Sequence, residues 1–259
     1  MDKVARQAAH FDSVAETYRT ARQHLNHRTI RHLIWSEFLR DKDGLRRPGC
    51  AVLEPMCGFA AGREILTDHL GIDFDYRGFD YSAAVVASLR ASHPDIAVSH
   101  QDVTRFEADA EYDIVILIGG LHHVPDQAEQ VVMRLGRALK PGGYFVSFEP
   151  TNGNPVFTKA REWIYRRNSL FDEETERAFP VRAYYGLFER AGLRHVDSFY
   201  PGLLAYVLYY NPDAFPLLNV GGPGLVRALW RLERPLRRSA VGRVLSFATL
   251  GLWQRPEAL

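Results

Sequence analysis

The chain has 259 residues, 46% of them hydrophobic, which supplies one full core and fits one large domain better than two small ones. Charged residues make up 24% and the formal net charge is +1, a balance that argues against a polyanionic partner and against nucleic acid in particular. Its two cysteines, Cys50 and Cys57, form no disulfide framework and suit a reducing, cytoplasmic setting.

The polar start, Met1 to His10, lacks the apolar centre of a signal peptide, and no apolar run approaches the roughly 20 residues that span a bilayer. Helical patterns cover Phe11 to Ala21 and Thr29 to Leu39, and Arg46-Arg47-Pro48-Gly49 breaks them. A strand over Cys50 to Met56 is followed by a glycine-containing loop and a helix from Arg63 to Leu70. Strand and helix alternate again over Tyr76–Tyr81 and Ala83–Ala91, then come strands over Ile96–His100 and Tyr112–Ile118. The last of these is apolar almost throughout, as a strand buried on both faces should be. A helix over Ala128–Leu139 stops at Lys140-Pro141-Gly142-Gly143, and Tyr144–Phe148 is the fifth strand.

Beyond Pro150 the pattern predicts a helix over Pro155–Arg167, another over Val181–Ala191, and strands over Arg194–Phe199 and Ser246–Gln254. An insertion, 201–245, separates the two strands. The alternation predicts an α/β fold, a Rossmann-like three-layer αβα sandwich around a mostly parallel seven-stranded sheet. It divides into a helical N-terminal lid (1–49), a core (50–150) and an acceptor-side half (151–259).

Three features carry chemistry. The strand that runs into Glu54-Pro55-Met56-Cys57-Gly58-Phe59-Ala60-Ala61-Gly62 ends in an acid and a turn of small residues, where backbone can pass close to a ligand. Asp80, 22 residues after Gly58, closes the second strand, where a carboxylate can take both hydroxyls of a ribose or cap the next helix. Asp102 follows the third strand, as an adenine-amino acceptor or a turn acid.

In this order and spacing the residues resemble the class I S-adenosylmethionine-dependent methyltransferases, in the branch of ubiquinone-type and natural-product enzymes. The likeness covers Phe11 to Pro150 and includes the Tyr112–Val124 run, the Leu139-Lys140-Pro141-Gly142-Gly143 turn and a lid-like Phe11–Tyr18. It departs in one place: of the three glycines usual after the acid only Gly58 is kept, with Met56 and Ala60 at the other two. The resemblance implies S-adenosylmethionine as cofactor, S-adenosylhomocysteine as product and a small-molecule acceptor methylated on oxygen or nitrogen, in secondary or envelope metabolism. A cofactor-binding protein of the same fold that does not methylate is the alternative.

By the same resemblance Glu54, Met56 and Gly58 hold the methionine end, Asp80 and Tyr81 the ribose side, Asp102 and Val103 the adenine, and Gly119 the sulfonium. Tyr18 offers a ring face to that cation, or is a core aromatic. His123 is the candidate base, with Glu149 the next catalytic candidate, and His122, Tyr184 and Tyr209 face the acceptor. No Cys or His stands at zinc-like intervals from the His122–His123 pair, so no metal is expected. In the insertion, Arg227, Arg231, Arg234 and Arg238 repeat at helical spacing beside Leu225, Leu229, Leu232 and Leu236. That pattern predicts a surface helix with leucines on the core, ended or bent by Pro235. Peripheral membrane contact through 225–238, aided by Trp230, or a clamp for a phosphorylated acceptor are its sharper readings. The sequence leaves the oligomeric state open.

Overall fold

The computed structural model describes residues 19–154, 158–159, 177–212 and 216–257. Tyr18, the Phe11–Tyr18 segment and most of the helix expected over Pro155–Arg167 lie outside the described residues.

The core is a sheet of strands β1 (Cys50–Pro55), β2 (Phe74–Asp80), β3 (Val98–His100), β4 (Tyr112–Ile118), β5 (Leu139–Asn152), β7 (Arg194–Phe199) and β8 (Ala248–Gln254), in the order β3-β2-β1-β4-β5-β8-β7. Six of the seven strands point one way, and β8 lies antiparallel between β5 and β7. A two-residue strand, β6 (Phe179–Pro180), adds to the end of β5.

Alternating side chains divide the interior into two cores, as the period of two requires. Val52, Ile114, Ile116, Val146 and Phe148 point to one face. It is covered by α1 (Leu25–Leu39), α2 (Ala61–Leu70), α3 (Ala83–Ser92) and the insertion's α6 (Leu204–Tyr209) and α7 (Pro223–Leu232). Leu53, Val115, Leu117, Phe145 and Trp253 point to the other, against α4 (Ala128–Ala138) and α5 (Val181–Arg190). The three-layer sandwich expected from the alternation is present.

Three details differ from the sequence expectation. β5 does not begin at Tyr144: Leu139 pairs with Tyr112, and Gly142 (φ 76°) gives its N–H to the Arg255 carbonyl, so the glycine pair bends the strand without ending it. It also runs on to Asn152, which puts Glu149 inside a strand. Thirdly, α7 turns Val226 and Trp230 inward, leaving Leu225 and Leu232 in solvent. The apolar set i, i+4 wins over the leucine stripe because indole burial removes more area from water than a leucine does. α7 ends at Leu232, ahead of Pro235.

Arg237 fixes the insertion to α1. Its side chain is 1% exposed, pairs with Glu37 at 2.7 Å, donates to the Trp230 carbonyl and lies over the Trp230 ring at 3.7 Å. The Trp230 indole N–H also reaches Glu37, at 3.0 Å. Removing the arginine strips the part-buried Glu37 of its cation and Trp230 of its cover, so Arg237→Ala is expected to lower stability by about 2 kcal/mol. Urea unfolding reads this, and Leu232→Ala on the exposed side of α7 should change little by comparison.

Candidate active site

The sheet order sets the C-terminal ends of β3, β2, β1 and β4 side by side, with Asp102, Asp80, the 56–60 loop and Gly119–Gly120 along one crevice. This is where open α/β sheets take ligands.

After β1 the chain turns through Met56, Gly58 and Ala60, all left-handed, with φ of 52°, 51° and 58°. Gly58 adopts this without strain, and a Cβ there would meet nothing within 4 Å among the described residues. Met56 and Ala60 hold it at a cost of roughly 1–2 kcal/mol each. The loop therefore keeps a three-glycine course although two of the positions carry side chains. The Met56 side chain lies between the strand ends, its Sδ 2.9 Å from where a Gly120 Cβ would sit.

Glu54 holds this loop in place. It is buried, and its carboxylate accepts the backbone N–H groups of Gly62 (2.8 Å) and Arg63 (3.0 Å) at the start of α2, and the Tyr76 hydroxyl (2.8 Å). A Cβ on Gly62 would stand 2.7 Å from the Glu54 carboxyl carbon, so that glycine is required. The sequence expectation gave Glu54 to the methionine end of a ligand. In the structure its oxygens serve the loop, an arrangement that positions Gly58. Tyr76 was missed because its partner, 22 residues away, is set only by the parallel pairing of β1 with β2.

Expected to take a ribose or cap the next helix, Asp80 ties two loops together in the structure, and Ser82 is the cap. Oδ2 accepts from Gly58 N–H and Oδ1 from Ser82 N–H, each at 2.9 Å, tying the β1 loop to the start of α3. Ser82 itself caps α3 through Val85 N–H. Tyr81 is half-buried, its ring beside His100. Asp102 is a turn acid, its Oδ1 accepting the Thr104 N–H and hydroxyl at 2.8 Å, with Val103 buried next to it.

At the end of β4, Gly119 (φ 61°) donates to the Phe148 carbonyl at 2.7 Å. Glu149, 1% exposed, then gathers the following turn. Its Oε1 accepts from Gly120 and Leu121 N–H, both at 2.9 Å, and its Oε2 lies 3.0 Å from His122 Nδ1. The sequence reading ends the fifth strand at Phe148, one residue short of Glu149, and favours His123 as the base. The structure brings Glu149 to His122, whose Cε1 stands 3.6 Å from the Cβ position of Gly119. The two histidine rings are 4.0 Å apart. Burial pushes the Glu149 carboxyl up to about 7, against its N–H donors and the nearby His123. Glu54 is likewise raised to about 7 by burial, its donors again opposing.

Two acceptor-side assignments are corrected. Tyr184 is wholly buried on α5, its hydroxyl donating to the Ser147 carbonyl at 3.1 Å and its ring against Phe188 and Trp253. Tyr209 is wholly buried on α6 and donates to the Val220 carbonyl. Both fill core positions and neither faces an acceptor. The aromatics near the site are instead Phe148 at the end of β5, with the stacked, half-buried Tyr206 and Tyr210 against it at 6.1 and 5.6 Å.

A doubly wound sheet with a left-handed glycine turn after β1 and an acid closing β2 defines a nucleoside-binding α/β protein. Residues 52–143 match the family described as methyltransferase domain. A probable S-adenosylmethionine-dependent methyltransferase of Mycolicibacterium smegmatis is 30% identical over 169 residues, 61% of this chain and 62% of that protein. The demethylmenaquinone methyltransferase of Bacillus mycoides is 25% identical over 209 residues, 71% of this chain and 87% of that one. The cyclopropane synthase MmaA2 of Mycobacterium tuberculosis shares the fold, with a TM-score of 0.58 and 13% identity over 84% of this chain and 83% of its own. Residues 52–143 thus carry a methyltransferase domain, and the relatives, the first of which this chain matches over less than two thirds of that protein's length, support a class I S-adenosylmethionine-dependent methyltransferase.

S-adenosylmethionine fits the crevice. Gly58 and Gly119 leave bare left-handed backbone there, and among the described residues a Cβ would meet nothing within 4 Å at Gly58 and the His122 ring at Gly119. Gly58, Asp80 with Tyr81, and Asp102 with Val103 would hold its three parts.

Gly58→Val is expected to abolish S-adenosylmethionine binding in calorimetry, since a β-branched residue resists this φ and its side chain enters the crevice. Ala60→Gly relieves roughly 1–2 kcal/mol of strain but loses about 0.8 kcal/mol of buried methyl and roughly 0.5–1 kcal/mol of chain entropy. Its urea midpoint should stay close to the parent's, and a large loss would contradict the strain.

The two raised carboxyls also fix the sign of a pH effect. A folded pKa of about 7 against an ordinary 4.5 means the protonated form favours the fold. That contribution is fully present below about 4.5 and lost as pH rises through about 7. Stability is expected to fall over this range, with Glu149→Gln flattening the fall, both read from unfolding midpoints.

Proposed function

We propose that the chain transfers the methyl group of S-adenosylmethionine to a hydroxyl or amine of a small, largely apolar acceptor, with His122 as base and Glu149 as the carboxylate that orients it. The observation that carries the reading is the 3.0 Å contact between Glu149 Oε2 and His122 Nδ1 beside Gly119. When bound, the cofactor supplies an electrophilic methyl on a sulfonium that leaves as neutral sulfide.

The residues' part is positioning, exclusion of water and one proton. With Nδ1–H given to Glu149, the His122 lone pair sits on Nε2, which takes the acceptor's hydroxyl proton. Glu149 then faces an imidazolium across 3.0 Å. The pair titrates as a unit. Glu54 and Asp80 act earlier, holding Gly58 where bare backbone meets the ligand. Tyr206 and Tyr210, half-buried over the buried Phe148, offer an aromatic surface that suits a flat or apolar acceptor. Relatives named for demethylmenaquinone make an apolar acceptor the class to try first. Secondary or envelope metabolism is the setting this chemistry suits.

A second reading is a cofactor-binding protein that does not methylate. Met56, set between the ends of β1 and β4 where the usual pattern has glycine, favours it. Formation of S-adenosylhomocysteine from an apolar phenol or quinol panel separates the two.

For a hydroxyl acceptor, His122→Ala is expected to lower kcat by roughly a hundredfold with cofactor affinity unchanged. The wild-type rate should rise with pH as the pair loses its proton, a limb the variant lacks. Glu149→Gln should shift that limb and lower kcat, with KM little changed. Equal turnover by His122→Ala and a collapse in His123→Ala would return the role to His123.

A further inference from the structure

Nine of the twelve large apolar side chains exposed among the described residues fall between Leu204 and Leu245, within the insertion between β7 and β8. The insertion, 201–245, also carries six arginines against Asp213 and Glu233, a net +4 in a chain whose total is +1. Exposed apolar area and positive charge are thus concentrated on one segment.

α7 orders them. Val226 and Trp230 face the core. At about 100° per residue, Leu225, Ala228 and Leu232 then share one exposed flank, and Arg227 with Arg231 the other. Leu225 is 44% and Leu232 76% exposed. The preceding loop is exposed and apolar too, with Leu217 90% exposed, and it packs onto the leucine flank at Gly221, whose Cβ position lies 2.9 Å from Leu225 Cδ2. At the far end, Glu233 accepts the Ala205 N–H and so brings exposed Leu204 alongside. Arg237 and Arg238 are committed to Glu37 and Asp197. Among the described residues, Arg227, Arg231 and Arg234 have no carboxylate at ion-pair distance.

We infer that this face docks on an anionic lipid bilayer. The leucine flank enters the boundary between headgroups and acyl chains while Arg227, Arg231 and Arg234 meet lipid phosphates. Charge complementarity selects this occupant: a protein groove for the leucines would need acids opposite three arginines, which an anionic leaflet supplies at any orientation. The contact is peripheral, since no helix among the described residues is long and apolar enough to cross a membrane. Trp230, buried against Arg237, takes no part, so leucine is the anchor. Docking here does not rest on methyl transfer.

The test is co-sedimentation of the full chain with vesicles of phosphatidylglycerol and phosphatidylcholine, beside vesicles of phosphatidylcholine alone. Binding is expected only to the anionic vesicles, and weakening as salt is raised. Arg227→Gln with Arg231→Gln should lower partitioning by roughly 25-fold, at about fivefold per cation. Leu225→Ser with Leu232→Ser should also release the protein, with cofactor binding and melting temperature unchanged in both variants. Equal binding to both vesicle types, or none to either, would overturn the proposal. So would a dimer in light scattering that Leu232→Ser dissociates, because the face would then belong to a second copy.

Discussion

The site depends on two buried glutamates that spend their charge on backbone. Glu54 ends β1 and takes two N–H groups from the start of α2; Glu149 sits near the end of β5 and takes two from the turn after β4. A carboxylate removed from water is costly unless donors surround it, and loops at strand ends have unpaired N–H groups to offer. Each need answers the other. The loops that border the crevice are therefore clamped by side chains that rise from the sheet, the most rigid part of the molecule.

The clamps explain how strain is tolerated. Met56 and Ala60 would relax out of the left-handed region if the loop were loose. Glu54 fixes its far end at Gly62 and Arg63, and Asp80 fixes its middle at Gly58 N–H. The surrounding hydrogen bonds over-determine the turn, the usual condition for strained backbone to persist. The same logic sets His122: three N–H groups, including its own at 3.4 Å, and its ring converge on Glu149.

The insertion follows a different rule. Its core face is small, Val226 and Trp230 on α7 with Ala205 and Tyr209 on α6, and its attachment is an ion pair held under an indole. A limited inner face leaves leucines outside, so this segment is built as a surface as much as a cover. Tyr206 and Tyr210 of the same segment stack on each other and meet Phe148 edge-on, which brings that segment against the C-terminal half of β5.

Local pattern determined the elements and their order. The Tyr112–Ile118 run, the glycine after the β1 acid and the acid that closes β2 declare themselves through periodicity and backbone freedom, which are properties of neighbours in the chain. Tertiary structure decided the partners. Glu149 selects His122 over His123, Tyr76 supports Glu54, and Arg237 pairs with Glu37 across 200 residues, none of which has a local signature. Tyr184 and Tyr209 went the other way, to the core, because an aromatic on an amphipathic helix reads alike whether its face meets a cavity or a sheet. Which glutamate oxygen meets which N–H is set by strand register, and register exists only once the sheet has formed.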